Sequence, residues 1–303
     1  MAKTDIVTLD LNFQGMSQAI AAYLIRHKDG SVLIESGPGS TVDALVQGLK
    51  ANGFTPGDIT HVLLTHIHLD HAGAAGWLAG QGAQIFVHPV GAPHLKDPEK
   101  LLRSARRIYG DQMDALWGEF IPVPESSLTV PVDGEQLQIG ALRFVAVDTP
   151  GHAEHHYAYV FEDVCFTGDV GGVRIPGFPY LRLPMPPPEL HLEKWRTSIR
   201  RLQALKCARL APTHFGIFDD PEWQLAAVVR AIDETLAWLD GVMRDDPDIE
   251  ELRRRFVTWS NEEGLRQGLS REAIRSYDLA NPLGMSADGL FRYWHKVRNA
   301  ATA

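Results

Sequence analysis

Cysteine is nearly absent: Cys165 and Cys207 are the only two in 303 residues, too few for a disulfide framework, and both thiols are expected inside strands or helices. Long apolar runs are missing too. None approaches the roughly 20 residues that span a bilayer, and residues 1–5 lead into an alternating segment with no apolar core of a signal peptide. No membrane association and a cytoplasmic location are therefore expected. Positive charge is in deficit, with 29 Lys and Arg against 38 Asp and Glu for a net charge of −9. Nucleic-acid binding wants a basic face, so it is disfavoured. There is no internal repeat and no low-complexity tract. What remains is ordinary for a globular protein, 45% hydrophobic and 22% charged, in a chain long enough for one large domain with an appendage. Histidine alone is plentiful, at 13.

The first part of the chain reads as strands with helices between them. Residues 6–11, 19–26 and 31–35 alternate as strands, and Lys28-Asp29-Gly30 marks a hairpin turn. A helix is expected at 41–52, with Ser40 or Thr41 as its N-cap. Residues 60–65 form a short apolar strand, 72–79 a helix and 84–88 another strand, and 89–120 is helical and loop-rich. Residues 128–147 read as two strands around Gly140, and 157–161 pairs with 164–167. Six prolines between 176 and 188 exclude a helix or a central strand from the 171–188 loop. A helix at 189–205 and a strand at 208–211 follow. Beyond Phe218 strand signals stop, and helices are expected at 221–244, 247–259, 270–279 and 286–298. The division is residues 1–218, an α/β catalytic unit, and 219–303, a helical extension.

The most informative segment is Thr65-His66-Ile67-His68-Leu69-Asp70-His71. Four metal-ligand side chains follow the apolar run Val62-Leu63-Leu64. Polar groups at this density cost free energy unless something satisfies them, and a divalent cation would. One ion cannot easily accept all four from so short a stretch; two can divide them. Further ligands are then expected at other strand ends. His152, Asp169 and His214 each stand just past a strand, in Pro150-Gly151-His152, Thr167-Gly168-Asp169 and Pro212-Thr213-His214.

This ordered set resembles the metallo-β-lactamase fold superfamily over about residues 5–218, in its glyoxalase II-like branch. The flanking words Leu33-Ile34-Glu35-Ser36-Gly37-Pro38-Gly39, Thr149-Pro150-Gly151-His152 and Phe166-Thr167-Gly168-Asp169 match as well, though Glu35 stands where many relatives have Asp. The resemblance implies a four-layer αββα sandwich with a dinuclear centre at one edge. Carried over residue by residue, His66, His68 and His152 bind the first ion, Asp70, His71 and His214 the second, and Asp169 bridges both. Zinc is the expected metal, and iron or manganese suit the same donors. A metal-bridging hydroxide is expected to attack the substrate, with Asp70 orienting it or moving a proton.

Three activities compete. The intact ligand set favours a hydrolase of a small carbonyl compound, a thioester, ester or lactone. The alternatives are a mononuclear iron oxidoreductase of the persulfide-dioxygenase type and a small-molecule phosphodiesterase. Around the centre, His156 is a candidate for supporting or pocket-lining duty or for a purely structural role, Arg174 for holding an anionic substrate group or for a loop charge or ion pair, and Tyr180 for stabilising an oxyanion or simply packing. Phe178, Leu181, Leu183 and Met185 offer an apolar lid or a dimer contact. His155 reads as an ordinary loop or strand residue, and His61, His94 and His191 as structural. Residues 253–255 read as a solvated helix face. The partners expected are a small-molecule substrate and, through the tail helices, a second copy of the chain.

Overall fold

The computed structural model describes residues 4–298. Two sheets stack face to face. The first has six strands in sequence order: β1 (Ile6–Asp10), β2 (Ala21–His27), β3 (Gly30–Ile34), β4 (Ile59–Leu63), β5 (Gln84–Phe86) and β6 (Leu128–Thr129). The second runs β11 (Arg209–Ala211), β10 (Val164–Phe166), β9 (Tyr157–Phe161), β8 (Leu142–Asp148) and β7 (Gln136–Ile139). The hairpins pair antiparallel, whereas β3 to β6 and the β10–β11 pair are parallel.

Strand alternation sorts side chains between the layers. Tyr23, Ile25, Val32, Ile34 and Leu63 point inward and meet Phe144, Tyr159, Phe161 and Phe166 of the second sheet. Their neighbours Leu24, Leu33 and Val62 point outward, under α1 (Val42–Ala51) and α3 (Ala75–Gly80), which follows the single turn α2 (Leu69–Ala72). Three short helices follow β5: α4 (Ala92–Lys96), α5 (Glu99–Tyr109) and α6 (Met113–Trp117).

The outer face of the second sheet is covered by α7 (Leu192–Leu205) and, in the same apolar cluster, α8 (Pro221–Val242), α9 (Ile249–Arg266) and α11 (Leu283–Tyr293), while α10 (Arg271–Ala280) packs on residues 173–180. Trp195 and Ile199 of α7, Val228 and Ile232 of α8, Phe256 of α9 and Leu290 of α11 share one apolar cluster with Cys165 and Leu210 of the sheet. The fold is thus an αββα sandwich with a helical C-terminal region. Among the described residues no helix is long and apolar enough to cross a membrane.

Local expectations needed correction. Residues 128–129 join the first sheet beside β5, and only 136–148 form the hairpin around Gly140. Thr41 stands at the N-cap position of α1 as expected, but neither its side chain nor that of Ser40 caps the helix. Thr41 Oγ1 donates to the Pro38 carbonyl and Ser40 Oγ to that of Leu116. The helix expected at 189 starts at Leu192, because the His191 side chain accepts the Lys194 N–H.

Candidate metal centre

The ligand-type residues all leave the ends of strands. β4 delivers Thr65 and His66; α2 opens after His68 and carries Asp70 and His71; His152, Asp169 and His214 follow β8, β10 and β11. Two glycines permit this convergence. A Cβ on Gly151, at φ +143°, would lie 2.3 Å from Trp195 Cα, so α7 packs directly on the backbone beside His152. A Cβ on Gly168, at φ +50°, would lie 2.5 Å from Thr65 Oγ1.

Two donor groups result. His66 Nε2, His68 Nδ1 and His152 Nε2 lie 2.9–3.2 Å from one another. Beside them, His71 Nε2 is 3.3 Å from Asp169 Oδ1, and His214 Nε2 is 3.4 Å from both Asp70 Oδ2 and Asp169 Oδ1. Asp169 stands between the groups, its Oδ2 lying 3.4 Å from His152 Nε2.

Whether these residues fit a cation follows from where the ring hydrogens are. His152 Nδ1 lies 2.8 Å from the Pro184 carbonyl and His214 Nδ1 2.7 Å from that of Ala19. A carbonyl only accepts, so each Nδ1 carries the hydrogen, and in the neutral ring each Nε2 presents a lone pair. Thr65 Oγ1 gives its hydrogen to Glu35 at 2.5 Å and therefore accepts from His66 Nδ1 at 3.0 Å. His71 Nδ1 donates to Glu35 Oε1 at 3.0 Å. The Nε2 lone pairs of His66 and His152 thus face each other at 3.2 Å, and a hydrogen on His68 can serve only one of them well. His71 Nε2 and Asp169 Oδ1 are buried with no hydrogen-bond partner. Unpaired acceptors converging in a buried site are the donor arrangement a divalent ion satisfies, with outer nitrogens tied down as metal-bound histidines usually are.

The electrostatics agree. Burial, then neighbouring His71, His68 and His152, push His66 well below the usual imidazole range. Burial opposes protonation of His71, but Asp70, Asp169 and Glu35 lift it well above that range: the carboxylates draw positive charge to Nε2, a proton or, in its place, a metal ion. Burial would raise Asp70, yet His71 and His214 hold it at about 2, so it is ionised at neutral pH. With its side chain 20% exposed, Asp70 marks the open side of the centre. Tyr109, at the end of α5, is raised by burial and then by the charge of Asp70; its hydroxyl contacts Met285 Sδ of α11 at 3.1 Å. Nothing in the local sequence marks Tyr109, because only the fold brings α5 and α11 to the mouth.

The other candidates are placed as follows. His156 is fully buried, hydrogen-bonded to Thr149 Oγ1 at 2.8 Å, and its ring stacks on His66 at 5.0 Å. It supports the ligand layer from beneath. Arg174 does not face the centre: its terminal nitrogens bind Asp220 at 2.5 and 2.7 Å and its plane lies over Phe218 and Trp223, so no anion-binding fork is left. Tyr180 is buried against Tyr277 in an apolar cluster with α10 and is no oxyanion donor. Leu181, Leu183 and Met185 belong to the core under the tail helices, so they form no free lid or contact face. His155 is buried near Glu189 at 3.4 Å.

A family model described as the metallo-beta-lactamase superfamily matches residues 18–214. The chain belongs to the metallo-beta-lactamase superfamily. It is similar to the metallo-beta-lactamase fold-containing protein ST1585 of Sulfurisphaera tokodaii, 28% identical over 58% of this chain and 68% of that protein. An atrochrysone carboxyl ACP thioesterase of Aspergillus fumigatus is 25% identical over 67% of this chain but 39% of its own length. Lactamase-like protein adaB of Aspergillus niger is 29% identical, and the match spans 52% of it. This chain therefore covers about half or less of these two fungal proteins. Among solved structures, the family protein TTHA1429 of Thermus thermophilus superposes with a TM-score of 0.64 at 21% identity, over 96% of this chain and 93% of that one. The superfamily shares the sandwich; the tail helices lie beyond the matched segment.

Proposed function

We propose that this superfamily member is a metal-dependent hydrolase of a small carbonyl substrate, with thioesters first and esters or lactones next. The single observation that carries it is the buried convergence of lone pairs from His66, His68 and His152 beside the unpaired His71 Nε2 and Asp169 Oδ1. His66, His68 and His152 would hold one ion, Asp70, His71 and His214 a second, and Asp169 both. Bound zinc, or iron or manganese in its place, would supply Lewis acidity that activates water and polarises the substrate carbonyl. The chain supplies the rest. Glu35, Pro184 and Ala19 fix the ring tautomers. The ionised Asp70, at the open side, accepts the proton of the attacking water and returns it to the leaving group. The name of the fungal thioesterase relative supports thioesters as the first class to examine.

The test is a hydrolysis screen of thioesters, lactones, aryl esters and phosphodiesters on protein of defined metal content, beside an oxygen-uptake assay with a persulfide. Turnover of thioesters that disappears in Asp70→Asn supports the proposal. Oxygen uptake with one tightly bound iron, or turnover of phosphodiesters alone, would replace it.

A further inference from the structure

Helix α5 differs from the rest of the surface. In a chain of net charge −9, its eleven residues carry Lys100, Arg103, Arg106 and Arg107 against one carboxylate, Glu99. All five side chains are exposed. Most arginines elsewhere are neutralised by a carboxylate, as Arg253 is by Asp288 and Arg201 by Asp133. Here Arg103 pairs with Glu99, while Arg106 and Arg107 form no salt bridge among the described residues. Residues 99, 103, 106 and 107 fall on one stripe of the helix, and with Leu102 they line an open groove of about 490 Å³. Half-buried Leu102 is the apolar residue at the edge of the stripe.

The opposite face of α5 is tied to the metal centre. Leu101, Ala105 and Tyr109, with Leu102 at the border of the two faces, pack with Leu69, the residue between His68 and Asp70. Tyr109 ends the helix where the charge of Asp70 reaches it. The cationic stripe therefore runs about 12 Å along a helix that ends at the mouth of the site.

We propose that this face of α5 docks an acidic carrier protein that presents an acyl thioester on a flexible arm to the centre; this rests on the thioesterase reading above. The shape decides between anionic partners. A nucleotide phosphate wants donors converging on a small cage, whereas here the cations are strung along two turns with an apolar side chain at their edge. That spacing matches the acidic face of a partner helix. Complementary charge of this kind acts mainly on encounter and orientation, so its signature is salt dependence.

The experiment compares wild type with Arg106→Glu/Arg107→Glu on three octanoyl thioesters: an acyl carrier protein, coenzyme A and N-acetylcysteamine. The uncharged N-acetylcysteamine thioester reports the chemistry alone. The expected result is that the ratio of kcat/KM for the carrier to that for N-acetylcysteamine falls at least tenfold in the variant. Raising salt to 0.5 M should bring wild type down to the same ratio. Lys100→Glu/Arg103→Glu provides a second pair should the first fold poorly. An unchanged ratio overturns the proposal, and so does an equal loss with coenzyme A, which would assign the stripe to nucleotide phosphates. If no thioester is hydrolysed, the thioesterase reading fails, and fluorescence anisotropy of the labelled carrier decides the docking by itself. Binding that weakens tenfold in the variant upholds the surface, and absence of binding by wild type removes it.

Discussion

Glu35→Gln tests how the centre is held. The Glu35 carboxylate is fully buried at a left-handed backbone position, φ +65°. Oε1 accepts from Thr65 Oγ1, Thr213 Oγ1 and His71 Nδ1, and Oε2 accepts from the Thr65 N–H at 3.2 Å. Glutamine is nearly isosteric but has one oxygen. The better orientation keeps that oxygen on the three donors and sets its NH2 against the Thr65 N–H. One buried donor then faces another, which costs about 1–3 kcal/mol. The negative charge that orients His71 and lifts its pKa is lost as well. Removing such a partner typically weakens metal binding about 10–100-fold, or roughly 1.4–2.8 kcal/mol. Urea denaturation of chelator-treated protein measures the first effect and competitive metal titration the second. Should the variant unfold at the wild-type urea concentration and bind metal within twofold of wild type, Glu35 does not orient the centre and the tautomer argument fails.

Elemental analysis should find about two metal equivalents per chain, and Asp169→Ala should lose both metal and most activity; one equivalent in wild type would reject the two-ion arrangement. Gly151→Ala drives a Cβ into the Trp195 backbone, an overpacking worth at least the upper part of the roughly 1–3 kcal/mol range, whereas Gly80→Ala, with no atom within 4 Å of the new Cβ, serves as control in thermal melts. Asp220, held below the usual carboxylate range mainly by its hydrogen bonds to Arg174, stabilises the fold above the unfolded-state pKa of about 4 and loses that contribution as pH falls through its lower folded value. The Tm gap between wild type and Asp220→Asn should therefore be present at pH 7 and close on acidification; a gap independent of pH would show that the Arg174 contact is not ionic.

The strands and the ligand-type residues were legible because their signals are local, and the sandwich followed from the resemblance that the ligand words carry. Alternation is written into 21–25 and 31–34, and His66, His68, Asp70 and His71 are consecutive enough to be conspicuous. What escaped depends on contacts across the chain. The pairing of residues 128–129 with β5 is not encoded within two residues. The tie of Arg174 to Asp220 spans 46 positions, so the sequence left this loop cation open between an anion contact and an ion pair. Tyr109 gained a place at the mouth only through the packing of Leu101 and Leu102 on Leu69.

Residues 183–185 form a strut with two ends. The Pro184 carbonyl holds His152 on one side. On the other, the Asn281 side-chain amide donates to the Leu183 carbonyl, and the Met185 N–H donates to Ser286 Oγ. The segment that matches the superfamily stops at residue 214, yet the orientation of one of its histidines is braced from beyond that limit. The tail is consequently not a module that can be exchanged at leisure: swapping it for that of another superfamily member would retune the metal affinity of a site whose seven ligand-type residues had not changed.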